Sequence, residues 1–245
     1  MTLMTDGIII REQNVGEQDR LVTLLTREKG VIRAFVNGAR NPKNKNVSAT
    51  DLLCYSDFSF EKGRQDTYII KEASAKQVFF ELRSDIAGLA LAQYFAELAR
   101  DFSPKEERSD EFLSLLLNAL HLICKGKKNL QLIKAVTELR FASIAGFMPD
   151  IVACSVCGKE GTQMYFSLSA SSLYCESCVK APDAKIISPG VLNAMRHTVL
   201  CSPEKIFSFS VSDDSLEKLN ALTEKYVKNI TFSKYKTLDF YKTMR

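Results

Sequence analysis

The chain has 245 residues, of which 46 % are hydrophobic and 25 % charged, enough apolar mass for two or three packed domains. Its longest charge-free apolar stretch, Phe112 to Cys124, runs 13 residues and falls short of the roughly 18 that a membrane helix needs; with no secretory leader, a cytoplasmic location and no membrane partner are expected. A net charge of +4 is too small to argue for a polyanionic partner, so the distribution of charge matters more than its sum.

The first eighty residues read as β. Gly7 to Arg11, Arg20 to Thr26, Gly30 to Val36, Leu52 to Phe60 and Thr67 to Glu72 are short runs rich in Ile, Val, Thr and Phe. Arg27 to Gly30 and Glu61 to Asp66 are polar loops in which glycine supplies a positive φ. Five strands in about 80 residues fit a small barrel of the OB type over residues 1–80. Phe58 and Phe60 share one face of a strand and are expected in the barrel core, whereas Tyr55 and Tyr68 are open to either role. The segment Asn37 to Asn46 lies between the third and fourth strands as a basic, exposed arm; residues 31–50 hold Arg33, Arg40, Lys43 and Lys45 with no acid.

After Lys76 the period changes to that of a helix. Ile86, Leu89, Ala90, Tyr94 and Leu98 form one apolar face. Ser103-Pro-Lys-Glu106 has the form of a capping box with proline at the first helical position, and Phe112 to Ile123, apolar nearly all round, is expected to be a central buried helix that includes His121. A second basic stretch holds Lys125, Lys127, Lys128, Lys134 and Arg140 against Glu138 alone, and Leu130, Ile133, Val136, Leu139 and Phe141 continue the helical pattern. Residues 81–150 thus form the first part of a helical domain.

The strongest chemical signal follows. Cys154-Ser-Val-Cys157 and, after a 17-residue gap, Cys175-Glu-Ser-Cys178 are two knuckles of the kind that converge four thiolates on a tetrahedral Zn²⁺. Gly158 provides the turn after the first, and Met164 to Ser167 with Ser172 to Tyr174 read as a hairpin between them. Four cysteines leave no coordination position open to water, so the one Zn²⁺ expected per chain is structural. Cys54, Cys124 and Cys201 sit singly in apolar contexts and read as reduced thiols. The ribbon, residues 151–182, interrupts a helical domain that resumes over 183–245, where Ser188-Pro189 opens a helix and Leu216, Leu219, Leu222, Tyr226, Val227 and Ile230 form a stripe. Residues 225–245 carry five Lys and Arg245 against Asp239.

No phosphate loop, dinucleotide fingerprint, zinc-protease helix or nucleophile elbow occurs, and the carboxylate pairs Glu106-Glu107, Asp110-Glu111 and Asp213-Asp214 fall where helix starts are expected. The chain reads as a binding protein rather than an enzyme, of α+β multidomain class.

These parts resemble the RecO recombination-mediator family of bacterial DNA repair. The resemblance rests on Gly7-Ile-Ile-Ile-Arg11 followed by Gly16-Glu-Gln-Asp-Arg20, on Leu24-Leu-Thr-Arg-Glu-Lys-Gly30, on Asn37-Gly-Ala-Arg-Asn-Pro-Lys43, on Leu139-Arg-Phe141 leading to Gly146-Phe-Met-Pro149, and on Lys236-Thr-Leu238, in that order along the whole chain. It implies an N-terminal OB fold, a helical domain with an inserted zinc ribbon, binding of single- and double-stranded DNA, and strand annealing. As partners it implies RecR and the acidic C-terminal tail of single-strand-binding protein, which together let RecA load on coated DNA. Arg11, Arg20, Arg33, Arg40, Lys43, Lys45, Lys125, Lys127 and Lys128 are the expected DNA contacts, with Lys134 and Arg140 as candidates for the protein tail. Many members of the family continue the basic run where this chain has Asn41, so this loop carries one charge fewer. The competing reading is a non-catalytic zinc-ribbon and OB protein that acts on RNA or in transcription.

Overall fold

The computed structural model describes residues 2–41, 43–63, 67–161 and 163–244. Arg64, Gln65 and Asp66 of the expected turn, Pro42 of the basic loop and Arg245 lie outside the described residues. The chain divides into two compact units, Met1–Lys125 with Tyr235–Arg245, and Gly126–Lys234.

In the first unit, β1 (Thr2–Val15), β2 (Asp19–Thr26), β3 (Gly30–Val36), β4 (Cys54–Lys62) and β5 (Tyr68–Val78) close a barrel in the order β1-β2-β3-β5-β4. Closure comes from a parallel pairing of β3 with β5, Ala34 opposite Tyr68, while every other pairing is antiparallel. Ile9, Val22, Leu24, Ile32, Ala34, Phe58, Phe60 and Ile70 fill its interior, the two phenylalanine rings stacking at 5.4 Å. The N-terminal third is therefore the expected OB-type barrel, and the chain is α+β.

The segment after β3 is less free than a basic arm. Asn44 donates to the carbonyls of Asn37 and Gly38, and the buried Asn46 donates to the Lys71 carbonyl and accepts from the Ala73 amide. Asparagine side chains replace backbone turn bonds here, so the loop is fastened to β5.

Helices α1 (Ile86–Phe102), α2 (Asp110–Lys125) and α6 (Lys236–Thr243) belong to the same unit as the barrel. Asp85 caps α1 by accepting from the Gly88 amide. Its first apolar residue, Ile86, is exposed, and the buried face centres instead on Leu91, Tyr94, Phe95 and Leu98. Tyr235 and Thr237 hold α6 on α1 by donating to Asp101 and Glu97.

Two expectations for this region fail. Ser103 ends α1 rather than opening a helix, and residues 103–109 form an extended strap: the Pro104 carbonyl accepts from the Val31 amide, and Ser109 donates to the Arg27 and Thr26 carbonyls. Bonding to the barrel edge outweighs the local capping signal. Gly30 permits this, with φ +57 and a Cβ position only 2.1 Å from the Pro104 oxygen. Helix α2 is also one-sided rather than buried all round; Ser114 and His121 face solvent, so His121 is not a core residue.

In the second unit the helix buried nearly all round is α3 (Leu130–Ile144). It packs with α4 (Pro189–Leu200) and α5 (Asp213–Thr231), whose N-caps are Ser188 and Ser212. Between α3 and α4 runs a sheet in the order β6-β8-β7-β9, made of β6 (Asp150–Cys154), β7 (Met164–Ser167), β8 (Ser172–Tyr174) and β9 (Lys185–Ile187). The hairpin β7–β8 has the residue bounds that the sequence suggests, and β9 extends its sheet as far as residue 187.

Candidate metal centre and basic cleft

Strand β6 delivers Cys154, and the turn after it is closed by the Gly158 amide donating to the Cys154 carbonyl, with Gly158 at φ +69. Strand β8 delivers Cys175, and a second tight turn brings the Cys178 and Val179 amides onto the Cys175 carbonyl. The four sulfurs all lie within 4.8 Å of one another, and Cys157 Sγ is 3.7 Å from Cys175 Sγ. A disulfide sets sulfurs about 2 Å apart, whereas four thiolates on one tetrahedral ion with bonds of about 2.3 Å lie about 3.8 Å apart. The spacing fits a shared metal ion.

The electrostatics agree. Backbone amides, that of Cys175 foremost, pull the Cys154 thiol down to about 6, while the neighbouring cysteines, Cys175 foremost, push Cys178 up to about 12. Negative charge is thus favoured at one sulfur and crowded at the next, which a cation relieves. Elsewhere burial leads: it raises Cys54 and Cys201, and with the Glu81 carboxylate beside it pushes Cys124 up to about 11.

The second feature is a cleft of about 560 Å³ on the outside of the barrel, lined by Arg11, Thr23, Arg33, Arg100 and Lys105 among others. Period two would put Ile9 and Arg11 on the same face of β1. A bulge between them shifts the register, so that Ile9 stays opposite Leu24 in the core while Arg11 pairs with Thr23, which in turn pairs with Arg33. Arg11, Thr23 and Arg33 form a single row across three strands. Among the described residues neither arginine has an acidic partner within ion-pair distance. The last turn of α1 adds Arg100 and the strap adds Lys105; Glu106 is the one acid on the cleft wall, and it accepts from Tyr68.

Comparison with known proteins gives a consistent picture. Residues 1–79 match the family described as "Recombination protein O N terminal", and residues 83–239 that described as "Recombination protein O C terminal". The chain is 33 % identical to the DNA repair protein RecO of Acetivibrio thermocellus over 99 % of its own length and 97 % of the relative's. The chain belongs to the RecO family. It is also 29 % identical to the DNA repair protein RecO of Desulforamulus reducens, over 96 % of this chain and 92 % of that one, and 28 % identical to that of Alkaliphilus metalliredigens, over 93 % of each.

Within this RecO-family chain the residues singled out in the sequence fall into three groups. Arg11 and Arg33 meet in the cleft, where Arg100 and Lys105 join them. Neither of those two was legible, because one is the only cation of α1 and the other lay in an expected helix start. Arg40, Lys43, Lys125 and Lys127 are exposed and Lys128 is half-buried, none of them in the cleft. Lys45 is exposed but paired with Glu72.

The third group is spent inside the fold. Arg20 is 14 % exposed and divides its bonds among Glu12, Asp51 and the Thr50 carbonyl, which makes it a stitch between strands rather than a phosphate ligand. Lys134 is 1 % exposed and bonded to Glu138 at 3.0 Å, with Glu224 at 3.6 Å. No peptide reaches it. Arg140 donates to the carbonyls of Thr198 and Val199 at the end of α4, the role of a C-terminal cap. Tyr55 and Tyr68 spend their hydroxyls on Asp6 and Glu106.

Proposed function

We propose that this chain is a DNA-binding recombination mediator of DNA repair: it binds single- and double-stranded DNA, anneals complementary strands and, with RecR, helps load RecA onto DNA coated by single-strand-binding protein. The observation that carries the DNA part is the row Arg11, Thr23 and Arg33, flanked by Arg100 and Lys105. Arg11 and Arg33 have no acidic partner among the described residues and are free to neutralise phosphates, whereas Arg100 is shared with Asp101 at 2.9 Å; a cleft on the strands of an OB-type barrel leaves the bases of a single strand accessible for pairing. The names of the relatives support the assignment to repair. No covalent step is involved, and the protein works in the cytoplasm at the nucleoid.

Zn²⁺ is the ion that suits four thiolates at this spacing, held by Cys154, Cys157, Cys175 and Cys178. Its role is to fix the ribbon. Exposed Arg40, Lys43, Lys125 and Lys127, with the half-buried Lys128, extend the phosphate contacts beyond the cleft.

Capture of the acidic, hydrophobic-ended tail of single-strand-binding protein falls to a groove of about 240 Å³ in the second unit rather than to Lys134 and Arg140. Phe166, Ile186, Ile187 and Leu222 line it with Asp183, and Lys185, Lys225 and Lys218, the last paired with Asp214, also border it. An apolar floor with cationic edges matches a carboxylate-bearing peptide that ends in an apolar residue.

The test is annealing of complementary strands coated with single-strand-binding protein. The protein should accelerate it, and Arg11→Ala with Arg33→Ala should remove most of the acceleration. No acceleration by the unaltered protein would return the reading to a zinc-ribbon and OB protein that acts elsewhere.

A further inference from the structure

Among the described residues four non-glycine residues hold a positive φ: Leu53, Glu106, Ser171 and Phe232. Three have a visible reason. Leu53 is buried and its amide bonds to the Ile9 carbonyl, Glu106 accepts from Tyr68, and Ser171 forms the turn between β7 and β8 with its carbonyl bound to the Asp150 amide. Phe232 differs. At φ 53 it ends α5 in the left-handed conformation that suits glycine or asparagine, and its side chain is 90 % exposed. The cap bond from its amide to the Lys228 carbonyl involves only backbone, so asparagine or glycine would form it with less strain. A phenylalanine here is unfavourable twice over, in backbone strain and in exposed apolar area.

What surrounds the ring selects its ligand. Thr231 and Ser233 flank it, and Lys225, Lys228 and Lys234 lie within ten residues that contain no acid. Lys228 sits in the last turn of α5 and bonds to Glu224, whereas Lys225 and Lys234 are exposed. An exposed ring with Lys234 two residues on, in a stretch of chain without acids, suits a single nucleic-acid strand, its base stacked on the ring and a phosphate near the ammonium group.

We infer that Phe232, with Lys234, forms a second single-strand DNA site, separate from the barrel cleft. The inference rests on the DNA-binding reading and deepens it, because annealing brings two strands to one protein and a single cleft holds only one.

Photo-crosslinking of the full chain to an oligodeoxythymidine carrying 5-iodouracil, followed by peptide mapping, tests it without any variant. A crosslinked peptide containing Phe232 is expected. In titrations, Phe232→Asn should weaken single-strand binding by about five- to 150-fold, the range expected for one lost base–ring stack. Phe232→Tyr should bind as the unaltered protein does, and Phe232→Asn should melt no lower, since asparagine tolerates the backbone conformation. No crosslink at Phe232, together with unchanged affinity of Phe232→Asn while Arg11→Ala with Arg33→Ala loses binding, would overturn the second site and leave the cleft intact. If the unaltered protein binds no single strand, the DNA-binding reading fails and this site with it.

Discussion

Asp6 joins three parts of the first unit. It accepts from Arg27 at 2.7 and 2.9 Å and from the Tyr55 hydroxyl, and Arg27 reaches on to Asp110 at the start of α2. Burial alone would raise the Asp6 carboxyl, but the Arg27 and Tyr55 donors outweigh it and its pKa falls below the ordinary carboxylate value. A depressed folded-state pKa stabilises the fold above the unfolded value of about 3.9, and that contribution is lost as pH falls through the folded value. Urea midpoints measured from neutral pH downward should therefore show unaltered protein and Asp6→Asn converging below about pH 4. A constant gap between them would assign the acid sensitivity to other carboxylates. None of this was legible in the sequence, since Asp6 and Arg27 stand 21 residues apart and only strand register brings them together.

At the scale of elements, local pattern identified most pieces and misjudged those whose partners are distant. The five strands, the β7–β8 hairpin and the Ser188 cap follow from alternation, turn residues and capping chemistry, all of which act over a few residues. Helix α3 was legible as a helix, but its near-complete burial was not, because Lys134 and Glu138 look solvent-facing; they neutralise one another four residues apart inside the second unit, where Thr223 also donates to Glu138. Breaking a buried pair leaves an unpaired charge, at a cost of about 3 to 5 kcal/mol. Lys134→Ala should accordingly lower stability by about that much in chemical denaturation, and Arg140→Ala by less, since backbone carbonyls at a helix end can turn to water. The ribbon offers the complementary case. With only short strands to bury, it would draw its stability from the proposed zinc, since such binding supplies about 10 to 16 kcal/mol in small metal-folded peptides. Metal analysis should find one zinc per chain, absent in Cys175→Ser, with protease sensitivity confined to residues 150–187 while the barrel keeps its fold. Full zinc content in Cys175→Ser would show that the four-sulfur site is misassigned.

On the scale of the whole molecule, charge counted along the sequence and charge placed in space diverge. Of nine cations expected to touch DNA, Arg11 and Arg33 meet in the cleft, while Arg20 is consumed by acids and Lys45 is paired with Glu72. Composition cannot tell these fates apart, because ion pairing depends on register and on a bulge at one position of β1. Even so, the class of protein was visible: four cysteines at knuckle spacing, five short strands and ordered family motifs survive without any knowledge of contacts.

The central claim is that the row across β1, β2 and β3 binds DNA through its phosphates. It is tested most directly by titrating a labelled single strand with the full chain at several salt concentrations, unaltered and with Arg11→Ala and Arg33→Ala together. Each lost single-strand phosphate contact reduces the slope of log K against log salt by about 0.7, so the double variant should bind more weakly and with a slope shallower by about 1.4, whatever the base sequence. Equal affinity and equal slope for the two proteins would contradict the account and move the DNA surface off the barrel.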